Sequence, residues 1–199
     1  YSSCSEIPGE YIYEKERICF KENEKPSDCE AFYKNVNGIL KCTTISNCVS
    51  TLHKNYLIGD ECRDSCDGYY QIELTSQSDD AYIKCFATLN EAKADVNVKF
   101  YETNQRKCWK TFPDVNSYFI KSSISNSDTN FEVVRECPNY YHEINDPTNN
   151  GNKCFQCVNN CQTESKYFVR GNKKCEESCV SFNKYYYDDS NNECLDSCE

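Results

Sequence analysis

The spacing of cysteine constrains this chain more than any other feature. Cys48, Cys62 and Cys66 stand as C-x13-C-x3-C, and Cys161, Cys175 and Cys179 repeat that spacing to the residue. Cys179, Cys194 and Cys198 repeat it with one residue more. Modules this short cannot bury a core of their own, so cross-links must take the place of one. At 17 cysteines in 199 residues the chain has the density of a disulfide scaffold.

Such a chain belongs in an oxidising space, since the cytosol keeps thiols reduced. The sequence therefore predicts an extracellular or cell-surface protein that has passed through the secretory pathway. The competing reading is a zinc protein built on paired C-x2-C knuckles or Cys/His sets. Only Cys154 and Cys157 form a C-x2-C pair, and His53 and His142 have no metal-like spacing. No metal and no cofactor is expected. The chain has no methionine and begins at Tyr1, which reads as a processed piece whose signal peptide has been removed. No apolar run approaches the roughly 18 residues of a membrane span, so no membrane insertion is expected.

The candidate half-cystines are Cys4, Cys19, Cys29, Cys42, Cys48, Cys62, Cys66, Cys85, Cys108, Cys137, Cys154, Cys157, Cys161, Cys175, Cys179, Cys194 and Cys198. Their odd number, with Cys198 one residue from the end, is expected to reflect an array cut before the module that supplied its partner; an intermolecular disulfide or a free thiol is the alternative. Pairing of nearest neighbours, such as Cys4–Cys19, Cys29–Cys42, Cys48–Cys62, Cys161–Cys175 and Cys179–Cys194, would close each module. An interlocked pattern, in which each C-x3-C pair reaches two modules, fits the spacing nearly as well.

Beneath the cysteine frame lies a second repeat. A module opens with Cys, reaches one or more aromatics, makes a polar turn, and closes with a charged residue and Cys. Tyr56 precedes Gly59-Asp60 and Glu61-Cys62; Tyr167-Phe168 precedes Gly171-Asn172 and Lys174-Cys175; Tyr185-Tyr186-Tyr187 precedes Asn191-Asn192 and Glu193-Cys194. Looser copies run from Tyr33 to Cys42, Phe100 to Cys108, Tyr69 to Cys85 and Tyr140 to Cys154. Aromatics suit a pleated surface, and Asn-Gly or Gly-Asp supplies the positive φ of tight hairpin turns. The predicted fold is small, disulfide-rich and mainly β: tandem short β-hairpin modules in an elongated array, with little helix and a small central subdomain.

Two segments depart from that frame. Ser27-Asp28-Cys29-Glu30 and Thr88-Leu89-Asn90-Glu91 have capping-box spacing, predicting short helices near 28–35 and 89–95. The longest cysteine-free gap, between Cys108 and Cys137, holds the only tryptophan, Trp109, and a run of apolar residues around a polar Ser122–Asn130 turn. The expected division is 1–85 and 137–199 as hairpin repeats, with 86–136 as a cysteine-poor subdomain.

No catalytic signature is present, and an enzyme is not expected. His53 and His142 have no Ser/Asp or Cys/Asn companions, and the six glycines form no phosphate loop. Asp188, Ser190 and Asn192 alternate as oxygen donors before Glu193, but an EF-hand would need Gly at its sixth position and Glu at its twelfth. A net charge of −10 argues against nucleic acid, which calls for basic patches. No asparagine opens an N-x-Ser/Thr sequon. Most of the 16 tyrosines read as packing over the cystines. Trp109 and Tyr118, outside the frame, are the candidate contact residues.

At Cys48–Cys66 and over 137–198, above all at Cys161–Cys179 and Cys179–Cys198, the chain resembles the furin-like, growth-factor-receptor-type cysteine-rich repeats. It is most similar to those of protist surface proteins, such as the variant surface proteins of Giardia and the intermediate subunit of the Entamoeba galactose-binding lectin. Those families favour C-x2-C, whereas this chain favours C-x3-C. The resemblance implies an extracellular adhesin or antigen ectodomain that binds protein or glycan, and carries no binding residue across. Two other classes fit the sequence: a structural subunit of a coat or filament, binding copies of itself, and a secreted signalling or mating ligand.

Overall fold

Seven modules are built the same way in the computed structural model, which describes residues 4–7, 11–76, 79–121, 129–148, 151–164, 166–184, 186–188 and 190–196. A half-cystine enters ahead of a two-stranded hairpin, and its partner sits in the hairpin's second strand. An isolated hairpin is marginal in water. The bridge across it, worth about 3 kcal/mol by chain-entropy estimates, and the next hairpin beside it supply what the hairpin lacks.

The described residues fall into two compact units, Tyr1–Ala94 and Asp95–Glu199, with the boundary inside the 86–136 stretch. In the first unit the strands are β1 (Tyr11–Lys15), β2 (Ile18–Lys21), β3 (Ala31–Lys34), β4 (Leu40–Thr43), β5 (Tyr56–Ile58), β6 (Glu61–Arg63), β7 (Tyr70–Thr75) and β8 (Ala81–Phe86). They lie in the order β2-β1-β4-β3-β6-β5-β8-β7. Two short helices, α1 (Ile45–Ser50) and α2 (Leu89–Ala94), belong to this unit. Bridges join Cys4 to Cys19, Cys29 to Cys42, Cys48 to Cys62 and Cys66 to Cys85.

The second unit contains β9 (Phe100–Glu102), β10 (Lys107–Trp109), β11 (Phe119–Ile120), β12 (Phe131–Val134), β13 (Tyr140–Asn145), β14 (Lys153–Val158) and β15 (Lys174–Cys175). Their order is β10-β9-β12-β11-β14-β13-β15, and β16 (Tyr186–Asp188) pairs separately with β17 (Glu193–Leu195). Here Cys137 is bonded to Cys157, Cys161 to Cys175 and Cys179 to Cys194. The fold is mainly β and disulfide-rich, with tandem hairpins and little helix.

One register governs the joints between modules. The first-strand residue that faces its own module's cysteine pairs in parallel with the residue just before the next module's cysteine. Glu14, opposite Cys19, pairs with Lys41; Phe32, opposite Cys42, pairs with Glu61; Leu57, opposite Cys62, pairs with Lys84. In the second unit Tyr101, opposite Cys108, pairs with Glu132, and Tyr141, opposite Cys157, pairs with Lys174. The residue before the cysteine, charged at Lys41, Glu61, Lys84 and Lys174, thus lies on a strand's outer edge, where it meets the neighbouring hairpin; Lys41 reaches Glu14 at 3.0 Å.

The module of β11 and β12 keeps the register without the bridge. Ile120 faces Val133 and pairs in parallel with Gln156, so Val133 stands where other modules carry cysteine. Apolar packing takes over: Phe100, Phe112, Tyr118, Ile120, Phe131, Val133 and Cys154 form a buried cluster, flanked by Trp109 and Ile144. The polar turn expected at Ser122–Asn130 lies outside the described residues except for Thr129 and Asn130.

The helix predicted near 28–35 is not formed. Ala31–Lys34 is β3, with Ala31 and Phe32 buried and the Phe32 N–H donating to the Asp60 carbonyl at 2.7 Å. Glu30, whose carboxylate the capping box required, instead accepts from the Ile45 N–H at 3.3 Å at the start of α1. Burying Phe32 between strands outweighs a local cap worth about 1 kcal/mol. At Thr88 the same letters do cap a helix: the hydroxyl accepts from the Glu91 N–H at 3.2 Å, and Glu91 accepts from the Ala87 N–H at 2.9 Å. Four residues after that threonine, Ala92 holds in α2 the place that Cys48, four after Thr44, holds in α1.

Candidate functional site

The parallel pairing of β9 with β12 brings Glu102 and Arg135 together. Glu102 ends β9 and is 5% exposed, an unusual burial for a carboxylate. Its Oε1 accepts from Arg135 Nε at 3.3 Å, while Oε2 is buried with no partner among the described residues. Arg135, one residue past β12, uses Nη2 to donate to the Tyr118 hydroxyl at 2.8 Å and to Gln105 Oε1 at 2.9 Å.

These groups sit at a groove of about 340 Å³ lined by Glu102, Thr103, Asn104, Lys121, Glu132, Val133, Val134, Arg135 and Glu136. The other charges along it are paired. Lys121 holds Glu132 at 3.0 Å, and Lys173 holds Glu136 at 2.8 Å, which lowers the Glu136 carboxyl below its ordinary pKa. Thr103 donates to Glu132 at 3.3 Å. A buried carboxylate oxygen without a donor costs free energy, of order 1–3 kcal/mol or more for a charged group. A ligand that supplies an O–H or N–H at Glu102 Oε2 recovers it, with charge-assisted strength.

Tyr118 and Trp109, the residues singled out in the sequence, do not line this groove; Tyr118 touches it through Arg135. Their ring centroids are 5.3 Å apart in an edge-on arrangement. Tyr118 is buried, and its phenol is raised above its ordinary pKa by desolvation first and by the Glu102 charge second, with Arg135 opposing. Its hydroxyl therefore remains neutral and positions Arg135. Glu102 and Arg135 carry no sequence signal, because only the parallel β9–β12 joint makes them neighbours.

The remaining candidates are placed as follows. His142 is buried opposite Gln156, with Nε2 3.3 Å from Gln156 Oε1 and Nδ1 unpartnered among the described residues. His53 occupies a left-handed turn position, φ 54°, after α1. Asp188 spends its carboxylate within its own turn, accepting from the Ser190 N–H at 2.9 Å and hydroxyl at 2.6 Å. Cys108 and Cys154 are buried free thiols, pushed up to about 12 by desolvation, while Cys198 lies outside the described residues. A larger hollow of about 580 Å³ in the first unit, between Lys34, Lys54 and Arg63, has Lys54 and Arg63 neutralised by Asp64 and Glu61.

No family model matches this chain, and no curated protein or solved structure is significantly similar to it.

Proposed function

We propose that the chain is an extracellular binding module of the surface adhesin or antigen kind, in which a disulfide-rich β fold carries a polar groove at the joint of its two unbridged hairpins, β9–β10 and β11–β12. Seven disulfides among the described residues fit an oxidising extracellular or secretory space. Among the described residues no helix is long and apolar enough to cross a membrane.

The observation that carries the reading is the unpartnered Oε2 of buried Glu102 beside the Arg135 guanidinium. An acceptor next to a donor, in a groove whose other charges are paired, suits a polyol. Sugar hydroxyls give and take hydrogen bonds together, and a neutral ligand carries no charge to desolvate. A glycan is therefore the ligand class we assign to the groove.

The test is a glycan array probed with the oxidised protein, followed by calorimetry on any glycan retained. Glu102→Gln keeps the shape and removes the charge, and binding should fall about tenfold, the loss of roughly 1.4 kcal/mol from one charge-assisted bond. A glycan bound equally by both forms would move the site elsewhere. An array without a hit would remove the glycan reading.

A further inference from the structure

Strands β12, β11, β14 and β13 lie side by side in the second unit, with one face buried and the other open to solvent. Phe131, Val133, Ile120, Cys154, Gln156 and His142 stand on the buried face. Side chains alternate along a strand, so Val134, Phe119, Phe155 and Tyr141 point the other way, and all four are half-buried. The open face of such a sheet is ordinarily polar. Here it is apolar on four neighbouring strands.

The register gathers three of these residues into one patch. Val134 faces Phe119 across the β11–β12 hairpin, and the parallel pairing of Ile120 with Gln156 sets Phe119 beside Phe155. Tyr141 joins them from β13. Ring centroids are 4.9 Å apart for Phe119 and Tyr141, 5.4 Å for Tyr141 and Phe155, and 6.0 Å for Phe119 and Phe155. Covering a cystine accounts for Tyr141, which lies opposite Cys157. It does not account for Phe119, whose hairpin has no bridge, or for Phe155, which faces Glu143.

The charges around the rings are paired. Lys174 Nζ lies 5.8 Å from the Phe155 ring and meets Glu176 at 2.5 Å, while Lys153 meets Glu143 at 3.7 Å. A charged ligand therefore finds no unmatched partner there. A sugar ring does fit: its C–H face stacks on an aromatic face, and its hydroxyls, at once donors and acceptors, reach the charges at the rim. A protein partner would have to cover several times the area of three rings.

The patch also adjoins the groove, because Val134 lines the groove and faces Phe119. From β12 to β13 is three strand spacings, about 14 Å, which is longer than one sugar ring. We propose that Phe119, Phe155 and Tyr141 are a stacking platform, so that the ligand is an oligosaccharide with one end in the groove and a following ring on the platform. The proposal rests on the glycan reading of the groove.

The probes are the glycan array and, for each glycan retained, its fragments of one to four sugars, titrated into the oxidised protein. Wild type should bind longer fragments more tightly. Phe119→Leu and Phe155→Leu keep an apolar side chain and remove the aromatic face. Each should weaken the longer fragments about fivefold and spare the fragment that fills the groove alone. Tyr140→Leu is the control, since Tyr140 packs on Phe168 at 5.1 Å on the opposite face and should leave binding unchanged. By proton NMR, sugar C–H resonances should move upfield on binding to wild type and less so with Phe155→Leu.

Fragments bound alike by wild type and both phenylalanine variants overturn the platform, and the groove reading stands if Glu102→Gln still weakens them. Weakening in those two variants with Glu102→Gln unchanged supports the platform and removes the groove from the site. An equal loss in Tyr140→Leu means that the variants act through the fold, and overturns the proposal. An array without a hit removes platform and groove together.

Discussion

Val133 faces Ile120 across the β11–β12 hairpin, in the place where the flanking modules carry Cys108, a free thiol, and Cys157, a half-cystine. Register and bridge are thus separable: the hairpin pairs as its neighbours do, while Phe112, Phe131 and Phe100 pack where sulfur would have been. Phe100 meets Phe112 edge-on at 5.3 Å and Phe131 at 5.7 Å. Apolar burial here does the work of a covalent staple.

Val133→Ala should therefore destabilise the second unit by about 2 to 3 kcal/mol, from two lost methyl groups at ~0.8 kcal/mol each and the cavity they leave. Trp109, the only tryptophan, borders this cluster and reports on it. Urea titration followed by its fluorescence should show a lower midpoint at an unchanged slope. An unchanged midpoint would mean that the cluster does not hold the module.

What the sequence made legible was local. Gly59-Asp60 turns between β5 and β6, with Gly59 at φ 62°, and the nearest-neighbour pairings Cys4–Cys19, Cys29–Cys42, Cys48–Cys62, Cys161–Cys175 and Cys179–Cys194 are the bonds found. What it hid was non-local. The capping letters at Ser27–Glu30 match those at Thr88–Glu91, yet only the second set caps a helix, because Phe32 gains more by lying against β6. Glu102 and Arg135 are separated by 33 positions, and no local pattern records the parallel strands that join them.

Cys108 and Cys154 should resist alkylation. Burial removes access and holds both thiols at about 12 against an ordinary 9.0, so at pH 8 almost no thiolate exists in the native state. Iodoacetamide should label neither in native protein and both in urea. The sign of the linkage follows: a raised native pKa contributes stability that is whole below pH 9.0 and is lost as pH rises toward 12. A denaturation midpoint that falls across that alkaline window in wild type, and falls less in Cys108→Ala, checks it.

His142 gives the opposite dependence. Desolvation lowers its pKa from an ordinary 6.5, the Gln156 bond pulls it back upward, and Lys166 and Glu164 act more weakly in opposed directions. The unfolded chain binds this proton more readily than the native one. Stability is therefore whole above pH 6.5 and is lost as pH falls from there through the native pKa. His142→Gln retains a side chain able to meet Gln156 and cannot charge. The midpoint difference between wild type and H142Q should shift against wild type on acidification from pH 7 to pH 5. A difference that stays constant would mean His142 titrates alike in both states.

Glu16 and Arg17 turn β1 into β2 with φ of 50° and 67°, a conformation that residues with a Cβ adopt at a cost. Two successive positive φ values between antiparallel strands make a tight hairpin turn of the kind for which Asn-Gly is preferred. Neither residue announces a turn in the sequence, and the Cys4–Cys19 bridge holds the hairpin closed despite them. Replacing the pair by Asn-Gly should stabilise the first unit by about 1 kcal/mol, since the left-handed region then carries little penalty. Hydrogen exchange at β1 and β2 is the sensitive probe, because the gain is local and the first unit has no tryptophan. Slower exchange of those amides in the double variant is the expected result. Unchanged or faster exchange would show that the bridge, and not the turn, sets the opening of this hairpin.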